Sequence, residues 1–254
     1  MDDQSLRGTV ALVTGASSGI GRATALALAA RGAAVALTAR RAELLRELAA
    51  EIHAAGGTAL PLAADIADHE EAAEAVRFTV AELGRLDTLV NNAGLMLLGH
   101  VTQSATADWQ RMVDINLTGL MHTTHAALPH LLEAAAQGPR RVADLVNISS
   151  VAGRHAFAGS AAYCATKFGV NAFSESVRQE LARQHVRVCV VEPGSVDTEL
   201  RTHNVPEVQQ AIDQVLGAIE RLRPEDVADA VAYAVTRPRH VALAEIQVRP
   251  TEQV

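Results

Sequence analysis

The chain has 254 residues, 49% of them hydrophobic and 20% charged, and this ordinary globular composition excludes a disordered, collagen-like or bare coiled-coil protein. Its 22 basic and 29 acidic residues give a net charge of −7 without any basic run, so nucleic acid and anionic membranes are poor partners. No stretch resembles a signal peptide or a membrane span, and the two cysteines lack metal-ligand spacing, which predicts a cytoplasmic protein without a metal site.

Short apolar or β-branched runs alternate with longer amphipathic segments along the whole chain. The predicted strands are Thr9–Thr14, Ala34–Ala39, Thr58–Ala63, Asp87–Asn91, Val142–Ser149, Val186–Glu192 and, less clearly, Val241–Val248. The predicted helices, with an apolar period near 3.6 residues, include Ala23–Arg31, Ala42–Ala55, Glu70–Leu83, Asp108–Ala136 and Ser160–Gln184. Strands joined by such helices predict an α/β fold, a doubly wound (Rossmann) parallel sheet of about seven strands with helices on both faces. Because no linker or repeat divides the chain, we assign residues 1–254 to a single domain.

The first predicted strand runs directly into a glycine-rich turn, Thr14–Gly21, with the spacing Gly-x3-Gly-x-Gly. A turn of this kind between a strand and a helix lets backbone N–H groups approach a pyrophosphate, because no Cβ stands in the way. The three glycines alone could reflect turn chemistry only. In the first strand–turn–helix unit of a doubly wound sheet they predict dinucleotide binding.

The end of the second predicted strand distinguishes the two nicotinamide dinucleotides. NAD-binding proteins place a carboxylate there for the ribose hydroxyls, whereas this chain has Arg40 and Arg41. Guanidinium groups can bind a 2′-phosphate, so NADP(H) is favoured over NAD, unless the two arginines only begin a helix as surface charge. Asp65, just past the third strand, is placed to accept from the adenine amino group, or to cap a helix near Asp68.

Tyr163 and Lys167 are four residues apart in a helical pattern, so both side chains project from one face. Ser150 ends the fifth strand thirteen residues earlier, beside Ser149. A phenol can protonate the oxygen of a carbonyl under reduction, an ammonium can stabilise the phenolate, and a hydroxyl can hold the oxygen. An exposed tyrosine beside a solvated lysine would show the same spacing. However, Lys167 is the only lysine among the 22 basic residues, which favours a chemical role.

Six motifs together resemble the short-chain dehydrogenase/reductase family in their order and spacing. They are Thr14–Gly21, Asn91-Asn92-Ala93-Gly94, Asn116-Leu117-Thr118-Gly119, Ser150, Tyr163-x3-Lys167 and Pro193–Thr198. The resemblance implies that Tyr163 is the catalytic acid/base, that Lys167 binds the nicotinamide ribose and lowers the pKa of Tyr163, and that Ser150 orients the substrate oxygen. It also implies that Asn116 supports a water-linked proton relay to the lysine.

The same resemblance implies a set of residues that line the cofactor groove. They are Gly15, Ser17, Ser18, Gly19, Ile20, Gly21, Arg40, Arg41, Asp65, Ile66, Asn92, Ala93, Gly94, Tyr163, Lys167, Pro193, Gly194, Val196 and Thr198. Ser18 departs from the basic residue that many NADP-binding relatives carry, so Arg40 and Arg41 would hold the 2′-phosphate alone. A homo-oligomer, dimer or tetramer, is expected from the family, with the long helices Asp108–Ala136 and Ser160–Gln184 available to pair.

The substrate side is less sharply marked. Leu95–Leu98 and Phe157 are expected in an apolar pocket wall, although Leu97 and Leu98 could equally belong to the core. Arg154 and His155 could meet an anionic substrate or be ordinary loop charges. The segment 199–223 interrupts the alternation of strands and helices and is either a substrate lid or a plain surface helix.

We therefore predict an NADP(H)-dependent oxidoreductase that interconverts a small aldehyde or ketone and its alcohol. Several stretches look similar to the branch with clavulanate-aldehyde reductases and 3-hydroxy-acid (serine-type) dehydrogenases: Met96–Gly99, Asp108–Met112, Ala126–Leu132, Thr166–Ser174 and Glu245–Val254. The alternative is an NADP-sensing, non-catalytic binding protein on the same fold, which would have no need of Ser150, Tyr163 and Lys167 together.

Overall fold

In a computed structural model, which describes residues 5–216 and 219–253, the strands form one parallel sheet. Its order is β3-β2-β1-β4-β5-β6-β7. The strands are β1 (Val10–Thr14), β2 (Ala34–Ala39), β3 (Thr58–Ala63), β4 (Thr88–Asn91), β5 (Ala143–Ile148), β6 (Val186–Pro193) and β7 (Glu245–Val248). The predicted doubly wound parallel sheet is confirmed, and the order reverses between β1 and β4, where such sheets form a ligand crevice.

The helices lie between the strands as the apolar period predicted. They are α1 (Gly19–Ala30), α2 (Ala42–Ala54), α3 (His69–Leu83), α4 (Thr106–Val113), α5 (Leu120–Gln137), α6 (Ala161–Leu181), α7 (Pro206–Leu216) and α8 (Pro224–Val235). Within the described ranges, no helix is long and apolar enough to cross a membrane.

Two hydrophobic cores lie on opposite faces of the sheet. Successive residues of a strand point to opposite faces, so Val13 belongs to the core under α1, α2 and α8, whereas Leu12 belongs to the core under α3, α5 and α6. Both side chains are fully buried. Helices therefore cover both faces and leave the ends of the strands as the open edges of the fold.

The predicted helix Asp108–Ala136 is confirmed, but it contains a π-helical turn that the sequence did not predict. The structure ends α4 at Val113, inserts a π-helical turn at Asp114–Gly119 and begins α5 at Leu120. The turn brings Asn116 to the backbone of Leu95, and the hydrogen bonds it makes there accompany the local widening of the helix. Apolar periodicity does not register such a turn, because it inserts only one extra residue.

The carboxyl ends of β1 and β4 are joined by side chains. The hydroxyl of Thr14 accepts from the N–H groups of Asn92 and Ala93 at 3.0 and 3.1 Å. The amide of Asn92 donates in return to the carbonyls of Thr14 and Gly15 at 3.0 and 3.2 Å. These contacts hold the glycine-rich turn and the Asn-Asn-Ala-Gly turn side by side.

Candidate active site

A cleft of about 1170 Å³ runs along the carboxyl edge of the sheet. Nearly all of the predicted cofactor residues line it, as does Ser150. They are Gly15, Ser17, Ser18, Gly19, Ile20, Arg40, Arg41, Asp65, Ile66, Asn92, Ala93, Gly94, Tyr163, Lys167, Pro193, Gly194, Val196 and Thr198. Gly21 is the exception: it is buried behind the wall, where its backbone packs against Asn92 without room for a side chain.

The turn from β1 to α1 depends on Gly15. Its φ of +65° lies in the left-handed region, and a Cβ there would lie 2.7 Å from the Cα of Ala93. A larger residue would push apart the two turns that meet at this edge. The close approach leaves bare backbone in the wall of the cleft beside the start of α1.

Arg40 and Arg41 differ in how firmly they are held. The Arg40 side chain is 65% exposed, and its guanidinium lies 3.9 Å from the carboxylate of Asp65. Arg41 donates to the hydroxyls of Ser17 and Ser18 at 2.9 and 2.8 Å, and to the carboxylate of Glu199 at 2.9 Å. Ser18, noted above as a departure from the basic residue of many NADP-binding relatives, therefore supports Arg41.

The two roles considered for Asp65 are separated by the structure. Asp68, not Asp65, caps α3, because its carboxylate accepts from the N–H of Glu71 at 3.0 Å. Asp65 accepts from the N–H of Ala67 and lines the cleft. It is thus available on the side where an adenine was expected.

Ser150, Tyr163 and Lys167 meet at the other end of the cleft, as the spacing predicted. Tyr163 and Lys167 stand one turn apart on α6 and are only 7% and 6% exposed. The Ser150 side chain hydrogen-bonds to the phenol, and the Lys167 ammonium lies 5.9 Å from the centre of the ring. The ammonium also donates to the carbonyl of Ile148 at 2.8 Å, which ties α6 to the end of β5.

The two neighbouring serines have different partners. The Ser149 hydroxyl is buried and donates to the backbone carbonyl of Lys167 at 3.3 Å, so it holds α6 in place. The Ser150 hydroxyl contacts Tyr163 and accepts from the N–H of Ala152 at 3.1 Å. This placement agrees with the preference for Ser150 over Ser149.

The ionisation of the cluster differs from what the family resemblance implied. Burial raises the pKa of Tyr163 to about 12, although the hydrogen bond from Ser150 opposes this shift. Burial also lowers the pKa of Lys167 to about 8. The expected lowering of the tyrosine pKa is therefore not seen, because the removal of the phenol from water dominates. At neutral pH the phenol keeps its proton.

Asn116 lies behind the wall of the cleft. Its carbonyl oxygen accepts from the N–H of Leu95 at 2.7 Å, and its amide nitrogen donates to the carbonyl of Leu95 at 2.8 Å and to the hydroxyl of Thr166 at 3.1 Å. Thr166 directly precedes Lys167. Asn116 thus fixes the chain after β4 against α6, and its part in a proton relay stays a prediction.

Apolar residues line part of the cleft, and Leu95 among them clusters with Tyr163. Of the residues proposed for its wall, Leu95, Met96, Leu98 and Phe157 line the cleft, whereas Leu97 packs into a small core around Met112. Segment 199–223 contributes further lining residues, namely Glu199, Leu200, Arg201, His203, Glu207, Val208, Ile219 and Arg221. Residues 217 and 218 of this segment lie outside the described chain.

Arg154 and His155 do not line the cleft, so the idea that they meet an anionic substrate there is not supported. The Arg154 guanidinium binds the fully buried carboxylate of Glu192 at 2.6 Å and also pairs with Glu245 at 2.5 Å. Asn171 donates to the same Glu192 carboxylate at 2.7 Å. Arg154 thereby anchors the loop after Ser150 to β6 and β7.

Sequence reasoning missed Asn204 and Glu199. Asn204 holds the backbone of Met96 and Leu98, and Glu199 holds Arg41. Neither residue stands in a local pattern that marks it, because each acts on a partner more than a hundred positions away in the chain. Within residues 5–216 and 219–253, no group of histidine, cysteine and acidic side chains could hold a metal ion.

Comparison with known proteins places this site in a family. A family model for short chain dehydrogenases matches residues 9–209. Glycine betaine reductase ATRR of Emericella nidulans is 39% identical over 249 residues, which are 98% of this chain but only 19% of that protein. A metagenomic short-chain oxidoreductase, solved in complex with NADP, is 38% identical with a TM-score of 0.81, over 98% of this chain and 100% of that one. A short chain dehydrogenase from Burkholderia cenocepacia J2315, also in complex with NADP, is 31% identical with a TM-score of 0.84, over 96% and 98% of the two chains. The chain therefore belongs to the short-chain dehydrogenase/reductase family of oxidoreductases, as its six motifs predicted.

Proposed function

We propose that this chain is an NADP(H)-dependent oxidoreductase that interconverts a small aldehyde or ketone and its alcohol, with Tyr163 as the acid/base. One observation carries the proposal: the Ser150–Tyr163–Lys167 cluster and the glycine-rich turn open into the same cleft. Reduction of a carbonyl by a nicotinamide cofactor adds a hydride to the carbon and a proton to the oxygen, so the cofactor and the proton donor have to reach the same substrate.

The residues along the cleft fit a dinucleotide phosphate. Gly15 and Gly19 adopt positive φ and leave backbone without Cβ atoms beside the start of α1, where a pyrophosphate can approach N–H groups. Arg40 and Arg41 lie at the end of β2, where guanidinium groups can bind a 2′-phosphate. The two solved relatives hold NADP, which supports the same choice of cofactor here.

In this proposal, residues of the chain donate the proton and bind the oxygen of the substrate. In the reducing direction, the protonated phenol of Tyr163 gives its proton to the carbonyl oxygen, and the Ser150 hydroxyl holds that oxygen in place. When bound, the nicotinamide supplies the hydride that reaches the carbonyl carbon. The Lys167 ammonium lies beside the ring, where its charge balances the negative charge left on the phenol oxygen.

The apolar wall formed by Leu95, Met96, Leu98 and Phe157 suits a small substrate rather than a polymer. Segment 199–223 acts in this proposal as a lid, because it follows the carboxyl end of β6 and contributes residues to the lining of the cleft. Similarity to part of a glycine betaine reductase favours a small polar compound as substrate.

NADPH oxidation measured against a panel of small aldehydes and ketones tests the proposal. Tyr163→Phe removes the proton donor and should lower kcat by at least about a hundredfold, in line with the usual contribution of general acid catalysis. The chain offers a matched control, Tyr233→Phe, which removes the other tyrosine, exposed on α8, and should leave turnover unchanged.

Unchanged turnover in Tyr163→Phe would remove the catalytic assignment. NADPH binding without turnover of any carbonyl in the panel would instead favour the non-catalytic binding protein on the same fold.

A further inference from the structure

We propose that Glu199 limits the preference for NADP over NAD, because its carboxylate competes with the 2′-phosphate for the guanidinium of Arg41. The inference rests on the proposed function, since it takes Arg41 as part of the 2′-phosphate site. Glu199 lies 158 positions from Arg41 in the chain and directly follows Thr198, the last of the predicted cofactor residues. It would therefore be a specificity residue supplied by the beginning of segment 199–223.

The argument begins with the way in which Arg41 is occupied. Its Nε and Nη2 groups donate to the Ser17 hydroxyl at 3.2 and 2.9 Å, and Nη2 also donates to the Ser18 hydroxyl at 2.8 Å. Its Nη1 group donates to the Glu199 carboxylate at 2.9 Å. All three nitrogens of the guanidinium thus have partners, so a phosphate that binds through two parallel N–H groups must share or displace one of them.

The partners differ in how they respond to an arriving phosphate. A serine hydroxyl is neutral and can rotate to donate its own hydrogen to a phosphate oxygen, so Ser17 and Ser18 can stay. The carboxylate of Glu199 accepts only and repels a second anion on the same guanidinium. Glu199 is therefore the partner that has to leave.

Glu199 is ionised over the pH range in which the competition matters. The Arg41 guanidinium, helped by a hydrogen bond with Ser18, holds the pKa of this carboxyl below its ordinary value. Its side chain is 54% exposed, so it can turn into solvent once Arg41 is taken. The 2′-hydroxyl of NAD has no charge, so the exchange opposes NADP binding and leaves NAD binding unaffected.

Arg40 provides an internal comparison. Its carboxylate partner, Asp65, lies 3.9 Å away and the Arg40 side chain is 65% exposed, so this pair is looser than the pair of Arg41 and Glu199 at 2.9 Å. Arg40 can accept a phosphate without a close ion pair being broken. The competition is therefore assigned to Arg41 and Glu199.

Isothermal titration calorimetry with NADP+ and NAD+ on the full chain tests the inference. Glu199→Gln keeps the size of the side chain and removes its charge, and should strengthen NADP+ binding about three- to fivefold, the range expected from breaking one exposed ion pair. NAD+ binding should stay the same. Glu43→Gln is the matched control, because it removes an equal charge within one turn of Arg41 from a carboxylate that pairs with Arg46; it should alter neither affinity.

Arg41→Met separates this inference from the proposed function. If NADP+ binding weakens in Arg41→Met, and the gain from Glu199→Gln disappears in the double variant, both stand. Suppose instead that Arg41→Met weakens NADP+ binding but Glu199→Gln leaves both affinities unchanged or raises the affinities for NADP+ and NAD+ equally. The competition is then overturned, while the phosphate site at Arg41 survives. The same conclusion follows if Glu199→Gln gives an undiminished gain in NADP+ affinity in the Arg41→Met background. Unchanged NADP+ binding in Arg41→Met would overturn the assignment of Arg41 and the competition together.

Discussion

Asn204 and Leu98 are 106 positions apart in the chain, and the side-chain oxygen of Asn204 accepts from the backbone N–H of Leu98 at 2.7 Å. The amide nitrogen of the same side chain donates to the carbonyl of Met96 at 3.0 Å. One buried carboxamide thereby joins the beginning of segment 199–223 to the apolar wall of the cleft.

Replacing Asn204 should loosen that wall. Asn204→Ala leaves a partly buried N–H and a partly buried carbonyl without this partner, so we expect a loss of about 1–2 kcal/mol in the free energy of unfolding and a rise in KM larger than the fall in kcat. Urea unfolding and steady-state kinetics measure both. Asn204→Asp keeps the acceptor for Leu98 but turns a buried, charged oxygen toward the carbonyl of Met96, so it should cost at least as much; wild-type stability in Asn204→Asp would contradict the bond to Met96.

The raised pKa of Tyr163 can be measured directly. In a Tyr233→Phe background, Tyr163 is the single tyrosine, and the phenolate absorbance should appear with a midpoint near pH 12 rather than near the ordinary value of 10.0. The cause is burial, which disfavours the charged phenolate. A midpoint below 10 in the cofactor-free protein would show that the ammonium of Lys167 outweighs burial.

The lowered pKa of Lys167 predicts how stability depends on pH. Between about pH 8, its folded value, and its ordinary value of 10.5, the unfolded chain holds a proton that the folded chain has released. The free energy of unfolding should therefore rise with pH through this window. Tyr163 acts in the opposite sense above pH 10, since the folded protein keeps the proton that the unfolded chain loses.

Urea midpoints from pH 7 to 10 check this sign, with Lys167→Met as the comparison. The wild type should gain stability relative to the variant as the pH rises from 8. A difference that stays flat or falls across that range would contradict the lowered pKa.

Arg154 should prove to be a structural anchor rather than a substrate contact. Arg154→Ala leaves the fully buried carboxylate of Glu192 without its guanidinium, and we expect a loss of about 2–4 kcal/mol in the free energy of unfolding, as for other broken buried pairs. Arg178→Ala breaks a surface pair with Glu175 on α6 and should change stability much less. A clear rise in substrate KM in Arg154→Ala without a loss in the free energy of unfolding would restore the substrate-binding role.

Gly15→Ala and Gly56→Ala separate backbone strain from close packing. Both glycines have positive φ, +65° and +83°, so alanine should cost about 1–2 kcal/mol at either position. A Cβ at Gly56 meets nothing within 4 Å, whereas one at Gly15 lies 2.7 Å from the Cα of Ala93. We expect Gly15→Ala to lose more stability and also to lose NADP+ binding, measured by urea unfolding and calorimetry; equal losses would deny the close contact.

The periodic and local features of the chain were sufficient to predict the sheet and the position of Tyr163 relative to Lys167. Strand residues alternate between two faces, and Tyr163 and Lys167 share a helix face, because both relations follow from backbone geometry over a few residues. The π-helical turn inside the predicted helix Asp108–Ala136 was not predicted, since such a turn barely disturbs an apolar period.

Contacts between distant parts of the chain could be found only in the folded protein. Asn204 meets Met96 and Leu98, Arg154 meets Glu192, and Glu199 meets Arg41 because the parallel sheet brings separate loops to one edge. The pKa values of Tyr163 and Lys167 also required the folded protein, since they depend on how much water the surrounding fold removes from each group. A linear order of residues carries the chemical types at the site, whereas burial and pairing arise only when those residues are packed in three dimensions.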